Sequence, residues 1–377
     1  MKKDKDKTQN RKEYDSWLQI LQVLSKLLCI RACWNVKFIL FYLTIFSQRF
    51  SKKRIFALVI KLFISNRSIV QFLLPFVIVI YIVLNFVSNY YSFTENADFG
   101  FWGDKVYVQP VYSQIFASLL VLGNAVGINA IFNWNQFLER NSFMPSLLYV
   151  VLLSFYHSFY EVDGLIISHL FIILMIHQLY FLRPNEDGRK YVFNAAFFAG
   201  LAASFHPPLI GFLPVIFFMI WTVRPFVFRE IILCIVGFSA PLLYAGFYLI
   251  YTDTSINLKL LKTTTNYDQQ IFDFVVTFTL FVFSLFLSII SIQSHIQKSS
   301  LRLKKMSRIL WWIVFTGLVI GIIDFLVFKQ IQRFSLIMIP FSFFLTFSFS
   351  HKTLGAVANI LFYTTFIYSC LKFFLQF

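Results

Sequence analysis

Long apolar runs, separated by short polar or charged stretches, dominate the chain after residue 57. Several runs reach roughly 18 residues, about the length of helix that crosses the hydrocarbon core of a bilayer. Backbone polar groups in hydrocarbon must be hydrogen-bonded within the segment, so each run predicts a helix. A membrane β-barrel would instead alternate apolar and polar residues, and these runs do not.

The pattern predicts an all-α fold, a polytopic transmembrane helix bundle with about 11 spans plus an N-terminal interfacial or re-entrant segment. Residues 1–56 form a basic N-terminal extension whose apolar segments have basic residues on both sides, which favours an interfacial helix or a hairpin. Residues 57–377 form the transmembrane helical domain. The predicted helices are 70–88, 113–131, 144–159, 164–182, 191–205, 208–222, 231–251, 271–293, 309–328, 334–350 and 354–374.

Composition supports this class, because 58% of the residues are hydrophobic and only 13% are charged, which excludes a soluble domain. The net charge of +16 raises the question of a nucleic-acid partner. Most of the 33 Lys and Arg, however, lie in alternate loops between the predicted helices. We therefore expect the lipid bilayer as partner and no nucleic acid.

The distribution of basic residues predicts the orientation of the bundle. One set of alternate loops holds eighteen Lys and Arg, whereas the opposite set, including the carboxyl end, holds six. Basic loops stay in the cytoplasm, so helix 70–88 is predicted to run outward and the C-terminus to lie on the outer side.

Candidate chemistry is concentrated in the predicted outer loops. Asp98 and Asp104 lie beside aromatic residues in the first outer loop, where desolvation can suit a carboxylate to act as a catalytic base. The alternative is a solvated loop that is anchored at the interface. No catalytic motif of a soluble enzyme occurs in the chain, and the sequence identifies no cofactor.

Two further outer turns carry polar candidates for substrate or carrier binding. Glu161 and Asp163 are separated by one residue, so they can share a cation or proton, or merely cap the next helix. His206 precedes two prolines that break a helix, so it either lines a polar cavity or belongs to a plain turn. No metal site is predicted, since His169 and His177 lie roughly 12 Å apart along a helix.

Lys329 and Arg333 are basic at the predicted outer end, where basic residues are otherwise scarce. They could bind the phosphate of a lipid carrier, and Arg333 would provide paired donors. The alternative is that both side chains snorkel to lipid headgroups with Asp324 as a local partner.

Three stretches carry a resemblance to a known family: Ser65-Asn66, Met144-Pro145, and Phe197 to Pro208 with Arg229-Glu230 downstream. Together they resemble an uncharacterised family of bacterial polytopic inner-membrane proteins, over most of the chain after residue 57. The resemblance implies a multi-pass protein of the bacterial inner (cytoplasmic) membrane, and it implies no activity.

More distantly, the segment from Gly200 to Pro208, after a short acidic outer turn, is similar to the membrane core of lipid-dependent glycosyltransferases of the GT-C fold. That similarity implies a catalytic acid in the first outer loop, and Asp98 or Asp104 occupies the matching place. The loop departs from the family pattern, because it has about 24 residues and lacks an Asp-X-Asp pair.

The leading hypothesis is a glycosyltransferase-like protein that transfers a sugar from a polyprenyl-phosphate carrier on the outer face. One alternative is a transporter or flippase, for which broken helices and charges near the bilayer midplane would be expected. Another is a non-enzymatic component of envelope assembly that docks a partner through its basic loops.

Overall fold

A bundle of helices makes up the described part of the chain. The computed structural model describes residues 60, 62–64, 68–88, 90–91, 96–103, 106–184, 186–225, 227–252, 275, 278–279, 282–291, 299–328, 331–350 and 355–374. The predicted extension over 1–56 lies outside these residues, and so do Asp104 and Lys329. The helices, labelled in chain order, are α1 (Leu74–Ser88), α2 (Pro110–Trp134), α3 (Met144–Leu153), α4 (Gly164–Tyr180), α5 (Arg189–Phe205), α6 (Phe212–Val223), α7 (Phe228–Tyr251), α8 (Val282–Ser291), α9 (Leu301–Phe328), α10 (Met338–Ser350) and α11 (Gly355–Leu371).

The predicted helical class is confirmed. Among the described residues, five helical stretches are long and apolar enough to cross a membrane, and further apolar helices of 10–17 residues accompany them. This pattern is compatible with an integral, multi-pass membrane protein, whereas the count of 11 spans stays a prediction. The five stretches are Val70–Ser88, Pro110–Trp134, Phe228–Tyr251, Leu301–Val327 and Gln332–Phe349.

Short 3-10 turns adjoin several helices. Ser68–Leu73 precedes α1, Pro207–Gly211 precedes α6 and Gln332–Ile337 precedes α10. At Pro207 the cause is covalent, because proline lacks a backbone N–H and its ring clashes with the preceding turn of a helix.

Helix α3 ends at Leu153 rather than near the predicted residue 159, and a 3-10 turn follows at His157–Phe159. The carbonyl oxygen of Ser154 accepts hydrogen bonds from Tyr160 Oη at 2.9 Å and from Lys372 Nζ at 2.5 Å. Side chains thus satisfy a carbonyl that a continuing helix would bond to its own backbone.

The first predicted outer loop contains a small departure from the all-helical pattern. β1 (Asn96–Ala97) pairs antiparallel with β2 (Val106–Tyr107). The 3-10 turn Gly100–Trp102 lies between the two strands in sequence and contacts α5 and α7. This arrangement places Asp98 beside the carboxyl end of α5.

Helix α5 packs between α4 and α7 through small residues. A Cβ atom added at Gly200 of α5 would lie 2.3 Å from the carbonyl oxygen of Phe238 in α7. Glycine therefore allows the two backbones to approach closely, as at many helix interfaces in membranes. In contrast, α1 leaves large apolar side chains exposed, including Phe76 and Phe86, as expected of a lipid-facing helix.

Loops that the sequence assigns to the same side contact each other. At the predicted outer end, Gly164 N donates to Asp98 O at 2.7 Å and His157 N donates to Gln332 Oε1 at 2.9 Å. At the predicted inner end, Arg302 Nη2 donates to Asn135 Oδ1 at 3.2 Å. Which end faces the cytoplasm stays a prediction.

The close approach of α5 and α7 can be tested by Gly200→Ala. The added methyl group would meet backbone that cannot move aside alone, so we expect a loss of about 1–3 kcal/mol in the free energy of unfolding. Gly246→Ala on α7 is the matched control, because no described atom beyond the adjacent turns of its own helix lies within 4 Å of its added Cβ. Thermal unfolding of both purified variants in detergent measures the difference. Equal midpoints for the two variants would contradict this packing.

Candidate functional site

Arg333 lies inside the bundle at the predicted outer end. It belongs to the 3-10 turn Gln332–Ile337 and is 6% exposed. Its Nη1 forms an ion pair with Asp324 Oδ1, and its Nε donates a hydrogen bond to His206 Nε2 at 3.0 Å. A guanidinium buried in this way requires a counter-charge, since desolvation of an unpaired charge costs several kcal/mol.

Asp324 supplies that counter-charge from the last turns of α9, and it is 1% exposed. Its Oδ1 is taken by Arg333. Its Oδ2 is buried and has no hydrogen-bond partner among the described residues. A buried carboxylate oxygen without a donor is unusual, because such groups are almost always satisfied by protein, water or ligand.

His206 reaches this ion pair because α5 ends at the residue before it. His206 has extended backbone (φ −136°, ψ 92°), and the two prolines that follow begin a 3-10 turn. A residue before proline is disfavoured in helical conformation, so the sequence itself ends the helix here. The interruption turns the imidazole toward Arg333.

Asp98 lies near Arg333 and is positioned by hydrogen bonds from two backbone N–H groups. Its Oδ1 accepts from Gly100 N at 2.8 Å, and its carbonyl oxygen accepts from Gly164 N at 2.7 Å. Asp98 also interacts electrostatically with Arg333. The structure therefore brings Asp98, His206, Asp324 and Arg333 together.

Two glycines allow this assembly around the carboxyl end of α5. Gly100 has a φ of +65°, and a Cβ there would lie 2.5 Å from the carbonyl oxygen of Phe205. A Cβ at Gly164 would lie 2.1 Å from the same oxygen. Trp102 Nε1 adds a hydrogen bond to Ser204 Oγ at 2.9 Å. The outer loop and the start of α4 thus both rest on the last residues of α5.

The turn between α3 and α4 gives Glu161 and Asp163 local partners. Glu161 Oε2 lies 3.3 Å from His157 Nε2. Asp163 caps α4 by accepting from Ile166 N at 2.8 Å, and it also accepts from Ser158 Oγ at 2.7 Å. Burial raises the pKa of the Asp163 carboxyl, while these two hydrogen bonds act in the opposite direction. The capping alternative thus describes the observed geometry of Asp163.

Gln332 links this turn to Arg333, since its Oε1 accepts from the backbone N–H of His157. Sequence reasoning missed Gln332, although a polar residue beside a basic one in an apolar stretch is a usable signal. It also gave His169 no role beyond a rejected metal site.

His169 extends the polar group into the core of the bundle, where it is fully buried. Its Nδ1 lies 2.9 Å from Tyr149 Oη and its Nε2 lies 3.3 Å from Ser335 Oγ. His169 and His206 also interact electrostatically. His169 therefore links Tyr149 of α3 to Ser335, two residues after Arg333, inside the bundle.

The described residues contain no group of three or more His, Cys, Asp or Glu that could hold a metal ion. The groups that do converge are one guanidinium, two carboxylates and an imidazole. Such a set can hold an anionic group through Arg333 and accept a proton from a hydroxyl group. Asp104 and Lys329 lie outside the described residues, so their roles stay predictions.

Comparison of the chain with protein-family models, with curated proteins and with solved structures gives no match.

Proposed function

We propose that this protein is a multi-pass membrane enzyme of the inner membrane that transfers a sugar from a polyprenyl-phosphate carrier on the outer face. Its background is the resemblance of the sequence to GT-C glycosyltransferases and to the uncharacterised inner-membrane family. The observation that carries it is the buried contact of Arg333 with Asp324 and His206 beside Asp98. Ionisable groups buried in a membrane bundle are costly and are therefore candidates for function.

Arg333 would bind the carrier phosphate. A guanidinium has five N–H donors in a planar fork, so one Arg can contact a carboxylate and a phosphate together. Its position between α9 and α10 is fixed by Asp324 and His206, which leaves little conformational entropy to lose on binding. Lys329 stays the second proposed phosphate contact, and Glu161 and Asp163 stay proposed contacts of the substrate.

A carboxylate would accept the proton of the acceptor hydroxyl. As the O–H bond breaks, the oxygen forms a bond to the anomeric carbon of the sugar. The bond from that carbon to the phosphate oxygen breaks, and the phosphate leaves with the electron pair. Asp98 and Asp104 are the proposed bases, and Asp324 is a third candidate because its Oδ2 has no hydrogen-bond partner in the part of the chain that the structure describes.

A transporter or flippase is the second candidate, and the irregular starts of α6 and α10 favour it. The 3-10 turns Pro207–Gly211 and Gln332–Ile337, which begin these two helices, meet where His206 contacts Arg333. Transporters often build substrate sites where helical backbone is irregular. Transfer of a sugar in a reconstituted system separates the two candidates, because a transporter leaves the carrier chemically unchanged.

Substitution of Arg333→Lys tests the phosphate contact. Lysine keeps the charge but loses the planar fork, so we expect roughly tenfold weaker binding of a polyprenyl monophosphate in nanodiscs. Arg302→Lys is the matched control, since Arg302 is exposed and contacts Asn135 at the opposite end. Equal affinity of wild type and Arg333→Lys, or no preference over an anionic control lipid, would contradict the phosphate site.

Substitution of Asp98→Asn tests the proposed base. The amide oxygen can still accept from Gly100 N, so the loop should keep its structure while the base is lost. Loss of a general base typically costs on the order of 100-fold to 10,000-fold in rate. Complementation of a deletion phenotype is the measurement, with membrane abundance measured in parallel and Asp104→Asn examined beside it.

Asp187→Asn is the control for the loss of a carboxylate, because Asp187 is exposed and pairs with Arg189 at the predicted inner end. Normal complementation by the double variant Asp98→Asn, Asp104→Asn would eliminate the first outer loop as the source of the base.

A further inference from the structure

Arg333 belongs to a turn that packs along α9, the helix that carries its partner Asp324. Side chains three residues apart lie on the same face of a 3-10 helix. Phe334 and Ile337 therefore extend in one direction from the turn Gln332–Ile337, and both are buried, at 7% and 1% exposed. These two side chains form an apolar ridge directly beside Arg333.

The surface of α9 that faces this ridge carries two glycines four residues apart, Gly317 and Gly321. A Cβ at Gly317 would lie 2.8 Å from Cγ1 of Ile337, and a Cβ at Gly321 would lie 2.7 Å from ring carbons Cδ1 and Cε1 of Phe334. Real Cβ atoms do not make contacts this short. The ridge therefore fills a groove that exists because both positions lack a side chain.

The spacing of the ridge matches the spacing of the groove. Three residues of a 3-10 helix advance about 6 Å, at about 2.0 Å per residue. Four residues of an α-helix also advance about 6 Å, at about 1.5 Å per residue. The contacts of Ile337 with Gly317 and of Phe334 with Gly321 thus fix the antiparallel register of the turn on α9.

This register places the two charges within reach of each other. Asp324 lies three residues after Gly321, so it lies one turn further along the same face of α9. Both residues are buried, whereas Ile323 between them is 55% exposed. Arg333 directly precedes Phe334 in the chain. With Phe334 in the groove at Gly321, the side chain of Arg333 lies beside Asp324, and its Nη1 forms the ion pair.

A hydrogen bond holds the turn from its other side. Gln332 Oε1 accepts from the backbone N–H of His157 at 2.9 Å. Both sequence neighbours of Arg333 are thus anchored, Gln332 to the turn between α3 and α4 and Phe334 to α9.

We propose that Gly321 and Phe334 are positioning residues for Arg333. The ring of Phe334, packed in the groove at Gly321, directs the guanidinium toward Asp324 and holds it there for the carrier phosphate. The role toward the carrier rests on the proposed function, in which Arg333 is the phosphate contact. The role toward Asp324 does not depend on that function. The competing explanation is that charge attraction alone brings the long Arg333 side chain to Asp324.

Gly321→Ala tests the groove, because the added methyl group and the Phe334 ring cannot occupy the same space. The full chain is purified in detergent, and Asp324→Asn and Arg333→Gln are introduced singly and together. The non-additive part of their shifts in the midpoint of thermal unfolding reports the interaction of the two side chains. We expect clear non-additivity in the wild-type background and additive shifts in the Gly321→Ala background.

Phe334→Leu provides the rescue, because leucine is smaller than phenylalanine and its methyl groups can turn away from an added Cβ. In the variant Gly321→Ala, Phe334→Leu, the non-additivity should return. Gly123→Ala on α2 is the matched control, because no described atom beyond the adjacent turns of its own helix lies within 4 Å of its added Cβ. Its non-additivity should equal that of wild type.

Binding of a polyprenyl monophosphate in nanodiscs is the second measurement. Gly321→Ala should bind roughly tenfold more weakly than wild type, the effect of one lost hydrogen bond to a charged group, and the rescue variant should recover the affinity. Absence of binding by wild type, together with the expected loss and return of non-additivity, would contradict the proposed function and support the positioning of Arg333.

Non-additivity that persists unchanged in Gly321→Ala would overturn the proposal, because Arg333 would then reach Asp324 without the groove. If Gly321→Ala alone does not fold, the rescue variant decides: we expect it to fold and to show the non-additivity of wild type. A rescue variant that folds without this non-additivity, or that does not fold, would also overturn the proposal.

Discussion

The buried ion pair between Arg333 and Asp324 is the interaction on which the predicted outer end depends. The two residues are nine positions apart, so their contact requires the chain to reverse between α9 and the turn Gln332–Ile337. Burying either charge alone in this position would cost several kcal/mol. The ion pair, together with the hydrogen bond from Arg333 to His206, offsets much of that cost. The reversal in turn sets where α10 enters the core, and that helix is almost completely buried.

A buried ion pair between an arginine and a carboxylate occurs at each end of the bundle, in different surroundings. At the predicted inner end, Arg224 and Glu230 form a buried ion pair across the turn between α6 and α7. At the predicted outer end, Arg333 contacts Asp324 of α9 and His206, the residue after α5, and interacts electrostatically with Asp98 of the first outer loop. In each pair one buried carboxylate oxygen has no hydrogen-bond partner among the described residues.

Apolar runs and helix-capping residues predicted most helices, because both signals are local. Helix α4, predicted over 164–182, spans Gly164–Tyr180 and begins at the cap Asp163. Helix α9 begins at Leu301 rather than near residue 309, because its basic residues resemble a loop in composition but can extend from the first turns of a helix. The Arg333 side chain points into the bundle because of its contacts at α5 and α9. Those contacts join parts of the chain that a local sequence pattern does not relate to each other. The meeting of Arg333 with His206, Asp98 and Asp324 was likewise beyond sequence reasoning, although three of these four residues, Arg333, His206 and Asp98, were named as site candidates.

A double-mutant cycle on Asp324 and Arg333 tests the central claim most directly. Asp324→Asn and Arg333→Gln would each leave a buried charge without its partner, so each should lower the midpoint of thermal unfolding in detergent strongly. The combined variant removes both charges, and its midpoint should fall by much less than the two single shifts added together. Single shifts that simply add in the combined variant would show that the two side chains do not interact, and would contradict this account of the outer end.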